Sequence, residues 1–449
     1  MHKVLIAVAA LAVVLSPITK AGNTDRDRIT DLVVNAERGD SSAAAALRAA
    51  GPTGLAALME RNRAALDSYR TGAQATGNRE PADDQTRRLI EVIDSVAAQR
   101  DAAWSGLYWF TDLRSAEDEA KRLGRPILSL RLLGRLTDEL SCANSRFFRA
   151  ALYADQKVAE CLRDHFVLHW ESERLVPIAT IDFGDGRVIR QTITGNSIHY
   201  VLSSEGMVVD ALPGLYTPDA FLAHLASALQ AFTSGPVPSR FEATPVVARR
   251  HQDSELRKIV YFRTTYGLTP LAGEGERLAQ VQREAARPPP AAQAVDRALS
   301  KTRAEARVVR DLGSFVAGPP RHDVVDWNAL AVRRSGFSPV SDVLTPLVRA
   351  QIRASQPTAS ESDLVETMRQ FSVSMAADTF MNELELRPRV LRWIHDGGGL
   401  AELQTLNARV YDELFLTPAS DPWLGLLPDS TFRGVWTAPA EESRLVTSR

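Results

Sequence analysis

The sequence predicts an α/β domain, a central mixed sheet flanked by helices, set between two mainly α-helical regions. Three observations carry this. Between Leu113 and Arg174 an alternating-charge helix (RSAEDEAKRLG) leads into an apolar strand (ILSLRLL), two helical stretches (SCANSRFFRAAL, DQKVAECLRDH) and a second strand (FVLHW). Between Ile198 and Phe232 two apolar runs flank Ser204-Glu205-Gly206 and are followed by a helical pattern. In residues 24–100 and 291–407 the apolar positions recur at helical spacing instead.

In chain order, His2 and Lys3 precede an unbroken apolar stretch, Val4 to Leu15, and Thr19-Lys20-Ala21 offers small residues at a cleavage site. The stretch is shorter than the about 20 residues a bilayer span needs, so residues 1–21 read as a signal peptide. An uncleaved anchor is the other reading. Cleavage implies export, to a periplasm or beyond, and leaves no transmembrane segment. No cysteine near the signal offers a lipid attachment point.

Residues 22–103 read as a helical N-terminal domain. Ile29, Leu32, Val33 and Ala36 place a helix over Asp25–Arg38, stopped by Gly39-Asp40-Ser41. Ser42–Ala50 ends at Gly51-Pro52, a strong breaker. Gly54–Tyr69 and Gln85–Ala103 are the third and fourth helices. Helical repeats would need a fixed period, and none is visible.

Residues 104–233 hold the α/β domain. Its second half reads as Arg187-Val188-Ile189, the strand Ile198–Leu202, a turn at Ser204–Gly206, the strand Met207–Val209, and a closing helix Thr217–Phe232 with Pro218 in its first turn. Residues 234–290 form a linker (Ser234 to Ser239) and a helical segment, Pro245–Glu284, up to Arg287-Pro288-Pro289-Pro290. Residues 291–449 read as a helical C-terminal domain, with helices at Gln293–Val308, Asp342–Ala354, Ser360–Leu384, Pro388–His395 and Leu400–Leu414. Ser360 with Asp363 is an approximate capping box. Gly397-Gly398-Gly399 ends one helix, and a Pro-punctuated tail begins at Thr417.

The run Ala120-Lys121-x-x-Gly124-Arg125-Pro126, the strand after it, the cysteine at the next helix start and the later hairpin and helix resemble the thioredoxin-like superfamily, in a bacterial subgroup. The resemblance covers residues 104–233 only. It implies a thioredoxin fold and a redox site where this chain reads Cys142-Ala143-Asn144-Ser145. The second cysteine of the family's Cys-x-x-Cys is Ser145. The Trp usual before the first cysteine is Ser141. The loop where the family keeps a cis-proline is Ser197-Ile198.

Cys142, Ser145 and His199 are the candidate site residues. A cysteine at a helix N-terminus meets free N–H groups and the positive dipole end, which favour thiolate. Ser145 can hydrogen-bond that thiolate but cannot resolve a mixed disulfide. His199 lies next to the loop and is a candidate base for Cys142, or it points elsewhere. Two functions stay open: a degenerate fold used for binding or scaffolding, and a monothiol disulfide oxidoreductase or isomerase. Either implies a protein partner, thiol- or disulfide-containing in the second case.

Other candidates read more simply. Cys161 sits among Val158, Ala159 and Leu162 and reads as buried and apolar, with a Cys142–Cys161 disulfide the alternative. His165 and His169 fall at the entrance and middle of a strand, with no third ligand near. DFGDG (Asp182–Gly186) lacks the spacing of a calcium loop and reads as a turn. His322, Asp323, Asp326 and Trp327 read as a helix start. The net charge of −2 and the lack of a basic face argue against nucleic acid. No cofactor or metal motif stands out.

Overall fold

The computed structural model describes residues 21–192, 195–233, 344–355, 359–396 and 402–421. Residues 1–20 of the expected signal sequence, the helices placed at 245–284 and 293–308, the Pro-rich turn, the cluster at His322–Trp327, Gly397–Gly399 and the tail past Asp421 lie outside them.

The N-terminal region is helical, with its own core around Leu47, Leu58, Ile93 and Val96. Helices α1 (Ala21–Glu37) and α2 (Ser41–Ala49) meet at Asp40, whose carboxylate accepts from the N–H groups of Ser42 and Ala43. The single helix expected over 54–69 is two, α3 (Pro52–Arg61) and α4 (Arg63–Thr76). Asn62 separates them: its side-chain amide donates to the Leu58 carbonyl at 2.9 Å and to Glu37 Oε1 at 2.7 Å. The helix expected to reach Ala103 stops as α5 (Asp84–Ala97), because Ala98 turns left-handed at φ 52°. A one-turn α6 (Ala102–Ser105) follows. The Asp94 carboxylate holds this corner by accepting from Ala102 N at 2.9 Å and Asp101 N at 3.2 Å.

The α/β part is a four-stranded mixed sheet whose strands, in spatial order, are β2 (Val167–Arg174), β1 (Ile127–Leu133), β5 (Ile198–Leu202) and β6 (Val208–Pro213). Helix α7 (Leu113–Leu123) is capped by Asp112 and ends on left-handed Gly124. It delivers the chain to β1 (Ile127–Leu133), which is buried along its whole length. A crossover through α8 (Ala143–Phe147), a π-helical turn (Phe148–Leu152) and α9 (Gln156–His165) returns as β2 (Val167–Arg174), parallel to β1. On the other side β5 (Ile198–Leu202) runs antiparallel to β1, and β6 (Val208–Pro213) antiparallel to β5. Helix α10 (Pro218–Thr233) closes the unit against α9.

Residues 187–189 do not enter this sheet. They belong to β4 (Val188–Thr192), which among the described residues pairs only with β3 (Ile178–Asp182), in a separate hairpin. The local turn explains it: Asp182 Oδ1 accepts from Gly184 N, and Asp185 Oδ1 from Arg187 N. DFGDG is therefore a turn, and it closes a hairpin.

The described C-terminal helices share one hydrophobic core with the sheet. They are α11 (Pro346–Ser355), α12 (Glu361–Met381), a π-helical turn (Asn382–Leu386), α13 (Arg387–Asp396), α14 (Leu403–Arg409) and a further π-helical turn (Val410–Leu414). The Ser360–Asp363 capping box is present. Polar ties join these helices to the sheet. Arg387 grips both Asp210 oxygens at 2.8 and 2.9 Å with both side chains buried. Asn382 donates to the Leu215 carbonyl at 2.7 Å, and Thr379 Oγ1 accepts from Thr217 N at 2.8 Å. Among the described residues no helix is long and apolar enough to cross a membrane.

Candidate functional site

Cys142 follows β1 and is the N-cap of α8, in extended backbone (φ −55°, ψ 153°). Its N–H donates to the Leu133 carbonyl at 3.2 Å, which ties the helix start to the strand end. The sulfur lies 3.0 Å from Ser197 Oγ and 3.5 Å from Ser145 Oγ. The Ser145 hydroxyl is itself committed to Cys142 O (2.8 Å) and Ser141 Oγ (2.7 Å). A hydroxyl has one hydrogen, so Ser145 accepts from the thiol and does not donate to it. Two serine hydroxyls thus meet the sulfur, Ser145 on α8 and Ser197 from the loop opposite, while Ser141 bonds Ser145.

That loop, Gly195-Asn196-Ser197, presses on the cysteine. Gly195 has φ 117°, and a Cβ there would stand 2.8 Å from Leu133 Cδ1 and 3.3 Å from Cys142 Cβ. Only glycine fits so close an approach in that conformation. Asn144 Nδ2 donates to Asn196 Oδ1 at 3.2 Å. Gly214 N donates to the Ser197 carbonyl at 2.8 Å. From outside, the Tyr411 hydroxyl donates to the Asn196 carbonyl at 3.0 Å, and its ring packs edge-on against Phe415. Cys142 is 0% exposed as a result.

His199 stands two positions beyond Ser197 on β5, but its Nε2 meets the Tyr153 hydroxyl at 2.7 Å, not the sulfur. Its ring lies among Phe148, Tyr153 and Phe221. Burial pushes its pKa down to about 3, so the imidazole is neutral and a poor acceptor for a thiol proton. The Tyr153 phenol is pushed well above its ordinary value, first by burial and then by the nearby Cys142. The structure therefore brings Cys142 and Ser145 together and sets His199 on a neighbouring tyrosine. The sequence marks Ser197 only as a position in the loop opposite, and Tyr411 not at all.

The remaining candidates separate. Cys161 is half-buried on α9 instead of fully buried; burial raises its thiol pKa, and both cysteines are free. His165 ends α9 instead of opening a strand. His169 lies on the sheet face away from His199, with Nδ1 2.9 Å from Ser129 Oγ, and burial lowers its pKa to about 3. Arg131, buried beside it, pairs with Glu171 and Glu173. No three His, Cys, Asp or Glu side chains among the described residues are placed to hold a metal ion.

Comparison with protein-family models, with curated proteins and with solved structures gives no match. The chemistry therefore rests on geometry. A thiol attacks a disulfide in line, as thiolate, and needs access. Cys142 has a helix N-terminus and hydroxyl partners, yet it is fully buried against the 195–197 loop, which Tyr411 holds through the Asn196 carbonyl.

Proposed function

We propose that this chain is an exported protein of thioredoxin-like architecture whose redox site has degenerated, and that it acts by binding a protein partner as a scaffold in the cell envelope. The observation that carries this reading is the complete burial of Cys142 against the 195–197 loop, which Tyr411 holds through the Asn196 carbonyl. Three supports accompany it. A strand–helix–strand unit and a hairpin–helix unit share one four-stranded sheet, the arrangement that the sequence resemblance implies. Serine replaces both the resolving cysteine and the preceding tryptophan. The histidine that could have activated the thiol is held neutral against Tyr153.

The second reading is a monothiol oxidoreductase or isomerase. It is favoured by one observation, the placement of Cys142 as the N-cap of α8 with its sulfur against two hydroxyls. Alkylation of a Cys161→Ser variant, which isolates Cys142, separates the two. Under the scaffold reading Cys142 reacts at the rate of unfolding, and no mixed disulfide forms with envelope proteins. Rapid modification of the folded protein with a midpoint well below about 8.5, or a trapped mixed disulfide, establishes the monothiol reading instead.

A further inference from the structure

Strand β1 is buried at every position, yet it carries a charge, Arg131. Register sets Arg131 opposite Glu171 of β2 and Ile198 of β5, with Ser129, His169 and Tyr200 one step along the same face. The residue is 1% exposed. A guanidinium keeps its charge in a protein, so each of its donors needs an acceptor. Only Nη1 finds them: it pairs with Glu171 Oε2 and lies 3.6 Å from Glu173 Oε1. Nε and Nη2 are buried and have no hydrogen-bond partner among the described residues.

Those two nitrogens share one edge of the planar group. Their N–H bonds run side by side, the fork that takes both oxygens of a carboxylate at once. Buried donors left unpaired are costly, those of a cation most of all, and such groups are met as a rule by an ordered water or an ion. One water brings a single neutral oxygen to two charged donors. A carboxylate brings two anionic oxygens at the spacing of the fork. The cluster also reaches the surface, since the Glu171 side chain is 43% exposed.

We propose that the Nε–Nη2 edge of Arg131 is a binding site for a small carboxylate, entered beside Glu171. Charge sets when it fills. Glu173 faces Arg131 on β1, Glu171 on its own strand, the Tyr200 and Tyr411 phenols, and Asn407 of α14, which bonds it. Burial holds both phenols well above their ordinary value and His169 neutral. With both glutamates ionised the cluster carries one net negative charge and repels an anion. Burial outweighs Arg131 and raises the Glu173 carboxyl above its ordinary value, and a proton there leaves the cluster neutral. Carboxylate binding is therefore linked to proton uptake at Glu173 and tightens as pH falls.

Calorimetric titration of the full chain with sodium formate, against sodium chloride at equal ionic strength, tests this. Formate is expected to bind saturably, at least about threefold more tightly at pH 5 than at pH 7, and chloride not to. Arg131→Lys keeps the charge opposite Glu171 but lacks the fork, and is expected to lose at least about tenfold in formate affinity. Arg369→Lys, at an exposed pair with Glu366, is expected to change nothing. Glu173→Gln is neutral at every pH and is expected to bind at pH 7 as the unaltered chain does at pH 5; it decides the matter if Arg131→Lys does not fold. Formate that binds no better than chloride leaves water as the occupant and overturns the proposal. So does equal binding by Arg131→Lys, or a Glu173→Gln variant no tighter at pH 7 than the unaltered chain.

Discussion

Tyr411 and Ser197 set what can reach the sulfur of Cys142. Tyr411 contributes a single hydroxyl to a carbonyl that is otherwise buried, so removing only that oxygen is the sharpest probe. Tyr411→Phe leaves the Asn196 carbonyl short of a donor and is expected to destabilise the fold by about 1–3 kcal/mol. It is also expected to raise the native-state alkylation rate of Cys142 beyond what the change in global stability accounts for. Denaturant titration and alkylation on the same sample measure both. At this scale the sequence carried part of the answer. Cys142, Ser145 and the loop at Ser197 follow from motif spacing and from counting back from the Gly206 turn. The direction of the His199 ring does not, because it depends on which helix supplies a partner across the sheet face, and that partner is Tyr153. Tyr411 could not be found by local pattern at all, since it lies 215 positions from the Asn196 carbonyl it contacts.

The elements divide in the same way. Strand β1, the first half of β2 and β5 are largely apolar runs and were legible. The breaks at Asn62 and Ala98 were not, because neither is a glycine or proline and each depends on a tertiary hydrogen bond or a carboxylate from another turn. Strand β4 was assigned to the wrong sheet for a comparable reason: its alternation is that of a strand, but the partner was decided by Asp182 and Asp185 folding the turn. The join between α13 and β6 is set by Arg387 and Asp210. Both are buried, so deleting one leaves the other charge without compensation. Arg387→Met is expected to destabilise by about 3–5 kcal/mol, and the pair Arg387→Met with Asp210→Leu to recover much of that loss. A double-mutant cycle in denaturant reads the coupling directly.

Across the molecule, protonation pulls the two cores in opposite directions. His169 and His199 are both pushed down to about 3 by burial. Their folded values lie below the ordinary 6.5, so as pH falls from 6.5 towards 3 the unfolded chain takes up protons that the sheet refuses, and the sheet loses stability. Asp94, in the helical core, runs the other way. Burial first, and then Asp101, raise it to about 7. Its contribution is greatest below its ordinary 3.8 and is lost as pH rises through 7. Hydrogen exchange at pH 5 and pH 8 is expected to show the α5–α6 corner better protected at the lower pH and strands β1 and β5 better protected at the higher one. Asp94→Asn is expected to flatten the first dependence and leave the second. The chain also has an order of completion. Asp210 and the Asn196 carbonyl emerge early in synthesis, but Arg387 and Tyr411 emerge only after the intervening stretch that includes residues 234–343. Until then Asp210 lacks Arg387 and the Asn196 carbonyl lacks Tyr411. A nascent or truncated chain is therefore expected to hold the 195–197 loop over the thiol less firmly than the finished protein does.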